Sequence, residues 1–294
     1  MADSNAMADL RGIDIDKLAK GFADEENVFK QFVTVSPTTA REIRWYQKTS
    51  GFVDVPDTTG ITASQITNTS FKAIPFVAEQ SWTRKSSYIR KFAVESPWIS
   101  TEDIMDTDID ILATNVRDLV RAVERQVDQR IIDVITESYT PVDIQTVAAI
   151  ADGWDDTATG DPIGDLLAAK QLLRAQGYNP EGAVAAMNSI EHRNLLKFLI
   201  SVKGSSIPSF ASQKIESGVV MELLGLRVVV SENVTTDNCA VFVSQRAATW
   251  KAFSPITSVI IDDPLIGKKI RVAEWGECLL TDPKAVVLIT DTVV

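Results

Sequence analysis

The sequence predicts an α+β fold with three consecutive parts, and three observations support this prediction. Residues 51–96 are rich in Thr, Ser, Val and aromatic side chains and are punctuated by Gly and Pro, as is typical of extended β structure. Residues 98–140 contain no Gly or Pro and carry an apolar stripe at helical spacing. From Pro141 onward, helical and β-branched segments alternate, which indicates a region that combines helices with a sheet.

The β-rich part is expected to form an arm that projects from the body. Two polar strands are predicted at residues 70–79 and 88–96, joined by a hydrophilic and basic stretch at residues 80–87. Few apolar residues here can build a core of their own, so such a hairpin needs a partner surface. Interleaved basic and aromatic residues also bind single-stranded nucleic acid, but the acidity of the rest of the chain favours a protein partner. Trp, Tyr and Arg are preferred anchors of protein interfaces, and the candidate contacts of the arm are Trp82, Arg84, Lys85, Tyr88 and Arg90.

The central part predicts one long helix with a narrow apolar face. Residues 100–103 offer a capping start, and the acidic residues within 106–110 suit the positive end of the helix dipole. The apolar stripe comprises Leu112, Val116, Leu119, Val123, Val127, Ile131 and Val134, widened by Val120 and Ile135. The other face is interpreted as a solvated mixture of charges, formed by Arg117, Asp118, Arg121, Glu124, Arg125 and Asp128. Such a helix can lie as a strut across a sheet.

The C-terminal part predicts two helices and several short strands. The helices are expected at residues 165–175, closed by Gly177, and at residues 189–200, capped by Ser189. Buried strands are expected at residues 182–187, 226–230 and 240–243. Beyond these strands, the pattern predicts an antiparallel hairpin with strands at residues 257–261 and 269–280, followed by a last apolar strand at residues 285–289.

Composition and charge exclude several classes of protein. The 294-residue chain has a formal net charge of −11, which disfavours broad binding of duplex nucleic acid because that affinity comes mainly from Lys and Arg. No apolar run approaches the roughly 20 residues that cross a bilayer, so no membrane association is predicted. His192 is the only histidine and is interpreted as a surface helix residue, which removes most general-base and metal arrangements. Cys239 and Cys278 lack disulfide or metal spacing and are interpreted as buried small side chains.

One acidic cluster is a candidate cation site by residue type. Its residues are Asp152, Asp155, Asp156 and Asp161, and their spacing does not match a calcium-binding loop. A solvated loop explains them better. We therefore predict no catalytic residue, no cofactor and no metal site.

The order of these segments resembles a known family. An N-terminal arm, a β hairpin, a long spine helix, an α/β region, an antiparallel hairpin and a last strand follow one another in the Hong Kong ninety-seven type capsid fold, which tailed-phage major capsid proteins share with encapsulins. Residues 76–79 (Phe-Val-Ala-Glu) and 91–94 (Lys-Phe-Ala-Val) resemble its extended-loop strands, and residues 99–106 resemble its entry into the spine helix. Residues 225–231 (Gly-Leu-Arg-Val-Val-Val-Ser) resemble a strand of its central domain, and residues 185–188 (Ala-Ala-Met-Asn) resemble its strand-to-helix step.

The resemblance implies a division of the chain into parts with different roles in assembly. Residues 1–45 would be the N-terminal arm, residues 46–97 the extended loop, residues 98–139 with 251–282 a peripheral domain, and residues 140–250 with 283–294 an axial domain. The extended loop would lie over a neighbouring subunit through the arm contacts given above. The peripheral hairpin would make contacts through Asp262, Asp263, Lys268 and Lys269, and the N-terminal arm through Phe22, Phe29 and Phe32.

The implied function is that of a structural subunit of an icosahedral viral capsid. Copies would self-assemble into hexamers and pentamers that enclose double-stranded DNA without sequence-specific binding, with scaffold, portal and decoration proteins as further partners. The subunit would reside in the virion and assemble in the host cytoplasm. Some members of the family cross-link through a Lys and an Asn. Lys85 lies in the expected loop, but residues 267–269 (Gly-Lys-Lys) of the peripheral hairpin contain no Asn, so cross-linking is not predicted.

Two alternatives remain open from the sequence. An encapsulin-type compartment would have the same architecture and would enclose a protein cargo instead of DNA. A cytoplasmic α/β enzyme with a β arm belongs to another class, and the scarcity of histidine and the absence of a glycine-rich cofactor loop count against it.

Overall fold

From the long helix onward, the predicted helices and strands are found in the predicted order, with additional short strands, whereas the arm differs from its prediction. A computed structural model describes residues 29–50, 70–74, 81–100, 110–148, 153–156, 159–200, 222–263 and 266–293. The helices in these ranges are α1 (Asp110–Ile135), α2 (Pro162–Ala175) and α3 (Ser189–Phe198), with short 3-10 turns at Lys30–Phe32, Glu137–Tyr139 and Pro283–Ala285. The strands are β1 (Thr34–Pro37), β2 (Glu42–Ser50), β3 (Ser81–Tyr88), β4 (Arg90–Glu95), β5 (Ile99–Ser100), β6 (Gln145–Ala148), β7 (Val184–Met187), β8 (Glu222–Leu223), β9 (Leu226–Val230), β10 (Asn238–Phe242), β11 (Ala248–Asp263), β12 (Gly267–Leu280) and β13 (Val286–Thr290).

The long helix α1 buries the apolar stripe that its sequence predicts. Val116, Val120, Val127 and Ile131 have no exposed surface, and they pack against the sheet that contains β12. Of the helix start predicted at residues 100–103, Ser100 lies instead in β5, which pairs with β12. Residues 101–109 lie outside the described residues. The prediction of a long helix lying across a sheet is confirmed.

The prediction of a solvated face on α1 is wrong for two of its residues. Glu124 and Asp128 are each only 3% exposed. Asp128 accepts a hydrogen bond from the backbone N–H of Phe29 at 3.3 Å, so the segment that precedes β1 packs on this side of the helix. For Asp128, this contact joins residues that are 99 positions apart, which helical periodicity does not reveal.

The first sheet has the order β1-β11-β12-β4, and β5 also pairs with β12. β11 and β12 form the predicted antiparallel hairpin, which is longer at its amino-terminal strand than the periodicity indicated. Two register shifts interrupt it between Ala252 and Thr257. β1 adds to β11 in parallel, and β4 adds to β12 antiparallel.

The second sheet has the order β6-β13-β10-β7-β9-β8 and is covered on both faces. Successive residues of its inner strands enter different cores, because side chains along a strand alternate between the two faces. One face shares the core of α1 and the first sheet through Val184, Ala186, Ala240, Phe242, Val286 and Leu288. The other face packs against α2 and α3 through Ala185, Met187, Cys239, Val241, Val287 and Ile289. Burial on both faces explains the continuous apolar runs that mark these strands in the sequence.

The arm differs from its prediction in strand register. The stretch at residues 80–87, expected as a loop, contributes most of β3, and β3 pairs antiparallel with β2, not with residues 88–96. Residues 70–74, expected as strand, contain turns instead, and residues 75–80 lie outside the described residues. A strand as polar as β3 escapes periodicity analysis because it has no continuous apolar face. We call the pair β2–β3 the arm hairpin.

Two helix ends show how local sequence sets the element boundaries. Gly177 has a positive φ of 83° and follows α2, as expected for a glycine that closes a helix. The cap of α3 is Asn188 and not Ser189, since the Asn188 side chain accepts the backbone N–H of Ile190 at 3.2 Å. None of the helices within the described ranges is long and apolar enough to span a membrane.

Candidate functional site

The arm hairpin has two faces that differ in their surroundings. Ile43 and Gln47 on β2 are 9% and 3% exposed and lie on the inner face, toward the body. Tyr46 immediately precedes Gln47 on β2, so its side chain points to the opposite face. It is 62% exposed and lies on the outer face. Residues directly opposite each other in an antiparallel pair share a face. The β3 partners of Tyr46 and of the other outward-facing β2 residues therefore also lie on the outer face.

The outer face brings together three of the five predicted arm contacts. Trp82 is 54% exposed and Tyr88 is 68% exposed, and the exposed Arg84 lies directly opposite Tyr46 in the register. Tyr46 is not among the predicted contacts, although its alternation with Ile43 and Gln47 indicates an exposed strand position. Exposed aromatic and arginine side chains on one small sheet are the composition of a protein-binding surface.

Charge on the outer face is partly paired. Arg44 Nε donates to Glu42 Oε1 at 2.7 Å along the same strand. This hydrogen bond lowers the pKa of Glu42 and raises that of Arg44, so both stay charged over a wide pH range. Arg84, directly opposite Tyr46, adds a second guanidinium to the same face.

The other two predicted arm contacts bind the chain's own body. Lys85 lies on the inner face, and its Nζ is 2.9 Å from Asp143 Oδ2. Arg90 begins β4, and its Nε is 3.1 Å from Glu277 Oε2. In this structure both side chains therefore attach the arm to its own subunit.

Among its described residues, the tip of the β11–β12 hairpin carries a cross-strand charge pair and an exposed apolar residue. Asp262 and Lys268 are opposite each other, with 3.6 Å between the carboxylate and the ammonium. Ile266 is 55% exposed, and its backbone N–H donates to the carbonyl of Asp263 at 3.1 Å. Lys269 turns away from this pair and binds Glu95 of β4 at 2.7 Å.

Glu95 joins the hairpin to β4. It accepts hydrogen bonds from Lys269 and from Arg271, and these two bonds lower its pKa. The ammonium of Lys269 also lies 5.1 Å from the ring centroid of Trp98. Near its tip, the hairpin is therefore held against β4 by ion pairs as well as by the backbone hydrogen bonds between β4 and β12.

The predicted contacts of the N-terminal arm lie in two environments. Phe29 is fully buried and Phe32 is 9% exposed, and both belong to the core of α1 and the first sheet. Their side chains thus serve the fold of their own subunit in this structure. Phe22 lies outside the described residues.

Residues that often carry chemistry are placed without a reactive partner in the part of the chain that is described. Burial raises the pKa of the Cys239 and Cys278 thiols, so both stay protonated near neutrality. His192 lies in α3, as predicted, and is half-buried, and burial lowers its pKa. Across the described residues, no group of three or more His, Cys, Asp or Glu is arranged to hold a metal ion, and Asp152 lies outside those residues.

A groove of about 820 Å³ runs between β4 and α1. Its lining combines Lys91, Arg121 and Arg125 with Asp118 and with apolar residues of β4. The lining contains no histidine or cysteine. It is a basic, open depression along the helix.

Known proteins share the sequence pattern and the fold of this chain. The sequence model of a family described as phage capsid protein matches residues 98–277. No curated protein shows significant sequence similarity to the chain.

Solved structures of similar fold include a virus-like particle from Pyrococcus furiosus, with 11% identity, a TM-score of 0.64, and coverage of 95% of this chain and 98% of that chain. The capsid of cyanophage P-SCSP1u matches with 12% identity, a TM-score of 0.65, and coverage of 90% and 88%. Mycobacterium phage Che8 matches with 16% identity, a TM-score of 0.60, and coverage of 87% and 86%. These matches confirm the capsid fold that the order of segments predicts.

Proposed function

Because the chain belongs to the phage capsid protein family, it is a structural capsid subunit and not an enzyme, and we propose that its copies form the hexamers and pentamers of an icosahedral shell. A capsid subunit acts by associating with further copies of itself, and its place is the virion. Closed shells arise when one set of heterologous contacts repeats under symmetry, so each contact can be modest.

The observation that carries the proposal is the outer face of the arm hairpin. Tyr46, Trp82 and Tyr88 are each more than half exposed, and all three lie on one two-stranded sheet. A two-stranded sheet is marginally stable by itself, and large exposed aromatic side chains are costly in water unless they are used in binding. We assign the outer face to a neighbouring copy, with Trp82, Arg84 and Tyr88 as contacts and Tyr46 added to them.

The same proposal assigns two further contacts. Asp262, Asp263 and Lys268 at the tip of the β11–β12 hairpin would meet the corresponding tips of neighbouring copies, where paired opposite charges suit a symmetric junction. Lys269 is nearby but is engaged with Glu95 of its own chain. Phe22 would contact another copy from the N-terminal arm. Phe29 and Phe32, buried in their own core, would anchor that arm at its base.

The two sheets support the proposed division of the chain. α1 with β11 and β12 would form the peripheral domain, and the second sheet with α2 and α3 would form the axial domain. Residues 46–97 would be the extended loop, although β2 begins at Glu42 and places the base of the arm a few residues earlier.

Net charge supports the proposed content of the shell. With a formal net charge of −11, the subunit can enclose double-stranded DNA without adhering to it along its length. Scaffold, portal and decoration proteins would be separate partners, and assembly would occur in the host cytoplasm. A compartment that encloses protein cargo is the second candidate, since the same fold occurs in a particle from Pyrococcus furiosus.

Particle size in solution tests the proposal. The protein is expressed alone and then together with its neighbouring genes, and the products are measured by light scattering and negative-stain microscopy. Closed shells, or free hexamers and pentamers, are the expected result, and nuclease-protected DNA inside them would distinguish a phage capsid from a protein compartment. A monomer under all of these conditions would overturn the proposal.

A further inference from the structure

The base of the arm hairpin meets the body at the carboxyl-terminal end of β12. Trp45 Nε1 and Gln47 Nε2 both donate to the backbone carbonyl of Leu280, at 3.0 and 2.7 Å. Gln47 is only 3% exposed, so its bond is shielded from water. Two donors on the inner face of β2 therefore converge on one oxygen and hold β2 against the end of β12.

Three residues earlier, Glu277 makes a second attachment. Its carboxylate is fully buried. Oε1 accepts the Nε–H of Arg130 on α1 at 3.0 Å, and Oε2 lies 3.1 Å from Arg90 Nε. A buried carboxylate is tolerated because two guanidinium groups compensate for its lost hydration.

Arg90 is where the arm returns to the body. β3 ends at Tyr88, and the backbone N–H of Ile89 donates to the carbonyl of Arg41 at 3.0 Å, which closes the base of the hairpin. Arg90 follows at once and begins β4. Glu277 thus links the exit of the arm to the long helix through one carboxylate.

We propose that residues 277–280 form a clamp that sets the angle between the arm hairpin and the body, with Glu277 and the Leu280 carbonyl as its positioning groups. The inference rests on the proposed function, because this angle determines where the outer face meets a neighbouring copy. A hairpin held at one angle favours one curvature of the shell. A released hairpin allows several curvatures and therefore particles of several sizes.

Two variants release the clamp at different points and leave the core in place. Arg90→Met removes the ion pair between Arg90 and Glu277, at a side chain that is 56% exposed. The variant is expected to stay folded because the Arg130–Glu277 pair remains. Trp45→Phe removes one of the two donors to Leu280. Arg41→Met is the matched control, since Arg41 is an exposed arginine at the same base of the hairpin. Arg90→Lys keeps the charge and serves as the rescue variant.

Hairpin angle is measured on the unassembled subunit by pulsed electron paramagnetic resonance. Spin labels are placed at Ser86→Cys on β3 and Asp118→Cys on α1, both exposed positions, and the two native cysteines are buried. Arg90→Met and Trp45→Phe are expected to broaden or shift the distance distribution, Arg41→Met to leave it as in the parent protein, and Arg90→Lys to restore it. A single cooperative melting transition shows that each variant is folded.

Assembly is measured on the same variants by negative-stain microscopy. The parent protein and the Arg41→Met control are expected to form particles of uniform size. The two clamp variants are expected to form particles of several sizes. Parent-like distance distributions in both clamp variants would overturn the inference, whatever the particles look like. Failure of the parent protein to form particles would contradict the proposed function instead, and the distance measurement would still decide about the clamp.

Discussion

The indole N–H of Trp154 donates a 2.7 Å hydrogen bond to the carboxylate of Asp165. Trp154 is fully buried and Asp165 is 1% exposed. Asp165 lies in the first turn of α2, where the positive end of the helix dipole favours a carboxylate. The bond joins the segment before α2 to the helix itself and closes the core between α2 and the second sheet.

Replacing Trp154 by Phe is expected to lower the free energy of unfolding by about 1–3 kcal/mol, because Asp165 then loses a buried hydrogen-bond donor. Urea unfolding measures the change. Trp98→Phe is the control, since Trp98 is 44% exposed, and its expected change is within about 0.5 kcal/mol. Equal effects of the two substitutions would contradict the role assigned to the Trp154 bond.

Gly267→Ala is expected to destabilise the protein more than Gly182→Ala. A Cβ at Gly267 would lie 2.0 Å from the carbonyl oxygen of Ile99, where β5 pairs with β12, and the φ of Gly267 is +149°. Gly182 has a φ of +77° and nothing within 4 Å of an added Cβ, so only the backbone strain of about 1 kcal/mol is expected there. Thermal unfolding compares the two, and a Gly267→Ala protein as stable as Gly182→Ala would show that β5 does not approach as closely as described.

Cys239 and Cys278 are expected to resist thiol reagents in the folded protein. Burial raises the pKa of both thiols, so little of the reactive thiolate forms near neutral pH, and neither sulfur reaches solvent. Titration with a chromogenic disulfide should detect almost no thiol in buffer and both thiols in denaturant. Rapid labelling of either residue without denaturant would mean that its strand opens readily.

Glu95 is expected to stabilise the folded protein less as the pH falls. Lys269 and Arg271 lower its pKa in the folded state, so its contribution is complete above the pKa of the unfolded chain and is lost as the pH falls through the folded value. The difference in unfolding free energy between the parent protein and Glu95→Gln should therefore shrink on acidification. Glu181→Gln, at an exposed carboxylate 4.0 Å from Arg174, is the matched control for the substitution itself. A constant difference for Glu95→Gln across the acid range would contradict the pairing.

Substitution on the outer face of the arm is expected to prevent assembly without unfolding the subunit. Tyr46→Ser and Trp82→Ser remove exposed aromatic side chains that make little contact with their own body, so the melting temperature should hardly change. Particle yield by light scattering should fall strongly, because aromatic anchors contribute most of the binding energy of an interface. Val142→Ser, at an 83% exposed residue outside the arm, is the control. Normal particle yields from both arm variants would show that the interface lies elsewhere on the subunit.

In the arm hairpin, the side-chain types follow from the sequence, but the face on which each side chain lies does not. The side-chain types of Trp82, Arg84 and Tyr88 predict interface contacts, and the structure places these residues on one exposed face. Lys85 has a similar side chain but points to the opposite face, because alternation along a strand depends on register. The register could not be predicted, since the partner strand β2 lies about 40 positions earlier and carries no continuous apolar face.

The sequence by itself determined the order and type of most elements. Helical spacing without Gly or Pro predicts α1, and short apolar runs predict β7, β9, β10 and β13, because these patterns arise from the local geometry of helix and strand. Only the tertiary structure decided which charged residues are buried and which strands pair in the arm. Arg130 and Glu277 are 147 positions apart, and neither position differs in local pattern from an exposed one. The burial of Glu277 beside Arg130 depends on how α1 and β12 pack together, which is a property of the assembled layers and not of either segment alone.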